Sequence, residues 1–427
     1  MPVFVLTLFR GFMLLSGLVT SIPSPAQYSM SEVKSPSSKV RPVGQDVADL
    51  LKGTARFNYQ AIPSCRPIDS GGVALDDIFK ALPLSDYSVK DGTTLLVKNM
   101  PPVESQGGLP ICHGYSAAAI VQQYLCEVDN WDCQHLSQER KIAPIGMATY
   151  SKLSDAKKKI NDFEGYEGVV LAGSGALNLI NGAVFIGMTY SNICYPYEKV
   201  VAENSNDTRV LDDKFEKLKS SYKDAHRDPQ SACIDCLADE LQRDFDKKVA
   251  ANDLKAAVAQ DTFEKFLYST LLYGCDEVVE IVPKPVVHVF PSATGGAAYK
   301  RVRQDEVQPS QRLSSYGPTI EKIRGVLATG RPVQVDGICV DGKPNACKSG
   351  HSVVIAGYRE MCSSSGKGCR EALLIHNSWG EDWQEKHDGG WVDAYTLLET
   401  TGYASGTLSW LTDPLPTSGW DRVKFEN

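Results

Sequence analysis

The 427-residue sequence has no concentrated stripe of lysine and arginine, and acidic residues outnumber basic ones 52 to 44, a formal charge of -8. That shortage of positive charge argues against a nucleic-acid partner gripped through its phosphates. No internal repeat is visible, so a repeat architecture is not expected. After the first 20 residues no stretch is long and apolar enough to span a bilayer. Val169 to Tyr190 comes nearest, and Ser174, Asn178 and Asn181 interrupt it among several glycines.

What is present is the composition of a folded protein, 42% apolar and 22% charged. The length suits two domains or one domain with a sizeable insertion. Residues 1–26 read as a secretory signal: MPVFVLTLFRGFMLLSGLVT is mostly apolar and gives way to SIPSPAQ, although Arg10 lies inside the apolar run. An uncleaved anchor is the alternative. The 12 cysteines suit a secreted, periplasmic or other oxidising compartment. Their spacings suggest local loops closed by 126–133, 339–347 and 362–369.

Residues 27–93 begin rich in Ser, Pro and Lys and read as an N-terminal extension or a propeptide. A short strand is expected over 94–98. Then SQGGLPICHGYSAAAIVQQYL passes from a glycine-broken turn into a helix, with Cys112 where loop becomes helix. A thiol there meets unpaired backbone N–H groups and the positive end of the helix dipole, which favour the thiolate. A structural or disulfide-bonded cysteine is the competing reading. A second helix is expected over 136–152, broken at Pro144, and an apolar helix from Ala176 after the turn Gly173-Ser174-Gly175. Residues 204–276 read as an inserted helical subdomain of three helices, with loops containing Pro229 and Asn252. Its Cys233-x-x-Cys236 reads as a disulfide staple, with Cys275 available to one of the two. A redox pair needs a preceding strand that is missing, and a zinc site needs further ligands. The remainder is strand-rich, with strands over 286–290, 351–359 and 372–380 and a helix over 316–330. Helices first and strands later make an α+β layout.

A cysteine nucleophile needs a base, a group that orients the base, and donors for an oxyanion. His351 opens an apolar strand after a Gly-rich loop, and Asn377 ends the next apolar strand, where its amide can hold the imidazole. Trp379 can cover that contact and keep water off it. His113 reads as a packing residue rather than a catalytic one.

QGGLPICHGYSAAA, HSVVIAGYR and NSWGEDWQEKHDGGW, in that order, resemble the papain-like cysteine peptidases over roughly residues 95–411 apart from the insertion. The resemblance implies an α+β, two-lobed papain-like fold. A helical left lobe (94–203) carries the cysteine, and an antiparallel β-barrel-like right lobe (277–427) carries the histidine. It further implies Cys112 as nucleophile, His351 as general acid/base, Asn377 as its orienting group, and Gln106 with the Cys112 backbone N–H as oxyanion hole. Gly173, Ser174 and Gly175 would hydrogen-bond the substrate backbone, with Ala176 near the S2 region. Trp379 would shield the Asn–His contact and Trp383 border the primed side. No metal or cofactor is implied. The partner is a polypeptide substrate, and a monomer without stable membrane insertion is expected. The activity implied is a secreted cysteine endopeptidase acting through a thioacyl-enzyme. The alternatives are exopeptidase trimming, thiol acyl transfer or amidase chemistry on the same fold, and a catalytically silent binding module. Three departures stand out. His113 occupies the position where the family has tryptophan, Leu109 one where it has cysteine, and no long-helix propeptide motif is visible.

Overall fold

The computed structural model describes residues 78–107, 109–150, 168–171, 175–203, 208–291, 309–340, 350–365, 368–401 and 407–414. The expected signal peptide, most of the N-terminal extension, Gly173, Ser174 and Cys347 lie outside these residues. The chain opens with two short strands, β1 (Tyr87–Val89) and β2 (Leu95–Leu96), and then enters α1 (Cys112–Val128). Pro144–Met147 forms α2, Ala176–Ile186 α3 and Met188–Tyr190 β3. The helices of the middle third are α4 (Tyr197–Glu203), α5 (Thr208–Arg227), α6 (Ile234–Phe245), α7 (Ala251–Val258) and α8 (Phe263–Leu271). There follow β4 (Val278–Glu280), β5 (Val286–Pro291), α9 (Pro309–Leu327), β6 (Val333–Cys339), β7 (Gly350–Ser363) and β8 (Cys369–His376). The last elements are α10 (Glu381–Lys386), β9 (Trp391–Asp393), α11 (Ala394–Thr401) and β10 (Thr407–Thr412).

The architecture is a helical region packed on an antiparallel sheet of strand order β5-β10-β6-β7-β8-β9, with β1 and β2 added along the outer half of β7. No pairing among the described residues joins β5 to β9, so the barrel-like closure expected of the right lobe is not formed there. β7 is the hub. Its residues His351 to Tyr358 are all buried, because α1 and α9 both pack against it. α1 is buried from Cys112 through Cys126 for the same reason, lying between the sheet and the helices α2 and α3. The small residues Ala117, Ala118 and Ala119 permit that close packing.

Two expectations about helices are corrected. Between 136 and 150 the α-helix is α2, with Pro144 as its first residue and a 3-10 turn over 148–150 after it: the fixed φ of proline starts a helix there rather than breaking one. Residues 208–271 form four helices, not three, and Asn252 lies inside α7 because Leu254, Ala257 and Val258 are all buried. These helices share a core with Leu109, Ile111 and Tyr115 at the start of α1. A second, larger core joins α1 and α3 to the sheet.

The disulfides Cys126–Cys133 and Cys362–Cys369 match the local loops expected. Cys233 pairs with Cys236. Cys275 does not join that staple; it pairs with Cys194, 81 residues away, and so clasps the two ends of the helical block. Several disulfides in one chain are consistent with an oxidising environment. Among the described residues no helix is long and apolar enough to cross a membrane.

Candidate active site

α1 places Cys112 at its first position, and no side chain caps that terminus. Beside it, the turn carrying Gln106 is tied down from several directions. The Gln106 backbone N–H donates to the Ser378 carbonyl at 2.8 Å, and Ser105 bridges to Trp379 as an isolated antiparallel pair. The Tyr115 and Tyr197 hydroxyls donate to the carbonyls of Ser105 and Gln106, each at 3.1 Å. Ser378 Oγ donates to Gln106 Oε1 at 2.6 Å, which leaves Nε2 as the side-chain donor facing the loop before Cys112, where it reaches the Leu109 carbonyl at 3.0 Å. Gly107 completes the turn at φ +53°, and a Cβ there would lie 2.6 Å from Leu211 Cδ2. Helix α5 therefore packs directly on this turn.

His351 and Asn377 meet as their strand positions predict. The imidazole Nε2 donates to Asn377 Oδ1 at 2.8 Å, and the two residues are 2% and 0% exposed. Because Nε2 carries the proton, Nδ1 is the lone-pair nitrogen, and among the described residues it has no hydrogen-bond partner. Trp379 stacks on the ring with centroids 4.4 Å apart. Burial lowers the His351 pKa to about 4 against the opposing Asn377 hydrogen bond, so the imidazole is neutral near pH 7. A neutral, oriented imidazole with one open lone pair is equipped to take a proton. Trp383 is buried 6.0 Å from Trp379.

The Cys112 sulfur is not a free thiol here. It is disulfide-bonded. This corrects the expectation of a free nucleophile in the folded chain.

Of the expected substrate-binding segment, Gly175 and Ala176 open α3. The carboxylate of Asp336 on β6 accepts from the Ala176 and Leu177 N–H groups at 3.0 and 3.3 Å and also from Ser352 Oγ. It thereby ties the start of α3 to the residue next to His351. Burial raises the Asp336 pKa, partly offset by these hydrogen bonds. His113 is 1% exposed and its Nε2 donates to the Val170 carbonyl at 3.0 Å, a packing role. His376 Nε2 donates to the Pro101 carbonyl, away from the site. A cavity of about 120 Å³ lies behind α1, lined in part by Glu104, Tyr115, Lys141 and Ser378, and the triad does not line it.

Tyr115, Tyr197, Asp336, Leu211 and Ser378 support the site without having been singled out by sequence reasoning. Tyr115 and Ser378 do fall within the quoted stretches QGGLPICHGYSAAA and NSWGEDWQEKHDGGW. For Asp336 and Leu211 no sequence signal was available, since both act across elements remote in the chain.

No family model matches the chain, and no curated protein does. Solved structures show weak similarity, three of them as follows. SERA5E from Plasmodium falciparum aligns at TM-score 0.37 and 12% identity, covering 78% of this chain and 97% of that one. A recombinant stem bromelain precursor aligns at 0.35 and 11%, covering 82% and 76%. Digestive procathepsin L 3 of the Tenebrio molitor larval midgut aligns at 0.34 and 12%, covering 88% and 94%. These likenesses are too distant to bear on the chemistry, which rests on the residues themselves.

Proposed function

We propose that this chain is a papain-like cysteine peptidase whose nucleophile is stored oxidised. The observation that carries the reading is the buried His351–Asn377 pair with its open Nδ1, set in a fold where α1 packs against β7. Two thiol equivalents reduce the Cys112 disulfide, giving two protein thiols and one oxidised reductant disulfide. His351 Nδ1 then takes the Cys112 proton, and the thiolate attacks a peptide carbonyl. Gln106 Nε2 and the Cys112 N–H stabilise the oxyanion, and the imidazolium returns its proton to the leaving amine. Water, deprotonated by the same imidazole, releases the acyl group. Trp379 excludes solvent from the His–Asn contact, and Gly175 and Ala176 border the substrate.

The oxidised Cys112 favours a second reading, a silent binding module in which that disulfide is permanent. A peptide library incubated with the dithiothreitol-reduced protein separates the two. Cleavage that disappears in Cys112→Ala supports the peptidase. Intact peptides with a demonstrably reduced Cys112 sink it. Products carrying an added amine in place of hydrolysed ends assign acyl transfer instead, and a map of product termini distinguishes endopeptidase from exopeptidase action.

A further inference from the structure

Phe79 lies more than 270 residues from the histidine it meets. Its ring is fully buried, and it stands edge-on to three aromatic rings of the candidate site: Trp379 at 5.4 Å, Trp383 at 5.3 Å and His351 at 6.2 Å. Trp379 in turn stacks on His351, so Phe79 backs both the imidazole and the indole that covers it. Edge-to-face packing at these separations is the favourable arrangement for aromatic rings.

The segment carrying Phe79 is built into the sheet. The Asp393 N–H donates to the Lys80 carbonyl at 2.7 Å. Leu82 packs with Met361 and Ala372. Farther along, β1 pairs Tyr87 with Ser363 and Val89 with Met361, and β2 pairs Leu96 with Gly357. The strand from which His351 projects is thus also the strand to which this segment is stitched. A removable leader lying over a cleft would not supply sheet registers, a buried core residue and a backbone bond to β9 together.

We propose that Phe79 is a positioning residue for the catalytic base, holding the Trp379 indole and the His351 imidazole against Asn377. The chain from Ile78 onward is then part of the working site, and any removable leader ends before it. The proposal rests on the peptidase reading only for its kinetic test.

Two measurements on Phe79→Ala and Phe79→Leu decide it. In the oxidised full chain, NMR follows the His351 imidazole, whose pKa burial lowers against the opposing Asn377 hydrogen bond. Removing the ring admits water, so the alanine variant titrates at higher pH than the parent and the leucine variant lies between them. In the reduced chain, kcat per active site titrated with an epoxide falls roughly tenfold or more in Phe79→Ala, because a loosened base misaligns proton transfer. KM stays within about threefold, since no substrate contact is removed. Phe79→Leu recovers part of the loss. A rise in kcat for Phe79→Ala makes the ring a plug and overturns the proposal. So does an unshifted His351 titration in a folded variant. If the reduced parent shows no turnover, the peptidase reading fails, and the His351 titration alone still decides the role of Phe79.

Discussion

Replacing His113 by glutamine separates two roles for the residue next to the candidate nucleophile. The imidazole is 1% exposed, and burial lowers its pKa from 6.5 to about 4. It is therefore neutral at pH 7 and acts as a hydrogen-bond donor to Val170. The sign of its effect on stability follows from the lowered pKa. The unfolded chain takes up this proton first as pH falls, so the residue's contribution is complete above about 6.5 and is lost as pH falls toward 4. At pH 5 the loss from His113 alone is about 2 kcal/mol. A glutamine amide does not titrate and can keep a donor for Val170. Urea unfolding with disulfides intact, at pH 8 and pH 5, should show His113→Gln losing about 2 kcal/mol less than the parent over that interval. The pH–activity profile of the reduced chain should keep any limb above pH 5 in place, because His113 is neutral there. Equal acid losses in the two proteins refute the packing argument. A moved limb refutes it too, and would return His113 to the chemistry.

Gly107→Ala should lower kcat, since a left-handed φ strains alanine by about 1 kcal/mol and its Cβ meets Leu211 Cδ2 at 2.6 Å. Adding Leu211→Ala should restore part of the loss by relieving the contact but not the φ strain, which steady-state kinetics on the single and double variants can show. Removing Cys194–Cys275, with its separation of 81 residues, should destabilise the chain by about 4–5 kcal/mol in the loop-entropy account. Removing Cys126–Cys133, with a separation of 7, should cost about 2 kcal/mol, so urea midpoints of the two double alanine variants should differ clearly.

The elements that carry the candidate triad were legible because their signals are local. An unbroken run after Cys112, apolar strands at His351 and before Asn377, and short cysteine spacings each report on a few neighbouring residues. Two misreadings came from treating residue types as punctuation. Pro144 begins a helix instead of breaking one, and Asn252 sits within a helix that the burial of Leu254 and Val258 stabilises. The rest depends on contacts between distant parts of the chain. Cys275 found Cys194 rather than its nearer neighbours because the fold brings the ends of the helical block together. Phe79, Leu211 and Asp336 each reach the site from another element, and no periodicity or spacing announces that. The oxidation of Cys112 belongs to the same class, since its disulfide joins none of the short-spaced cysteines paired locally.

The central claim is that Cys112, once reduced, is the nucleophile that His351 activates. The direct measurement is labelling of the dithiothreitol-treated chain with a peptidyl epoxide, followed by peptide mapping and assay of residual peptide hydrolysis. The account predicts one label per chain, located on Cys112, with hydrolysis lost in step with labelling and absent in Cys112→Ala. A folded, reduced chain whose Cys112 stays unlabelled, or hydrolysis that survives Cys112→Ala, contradicts it.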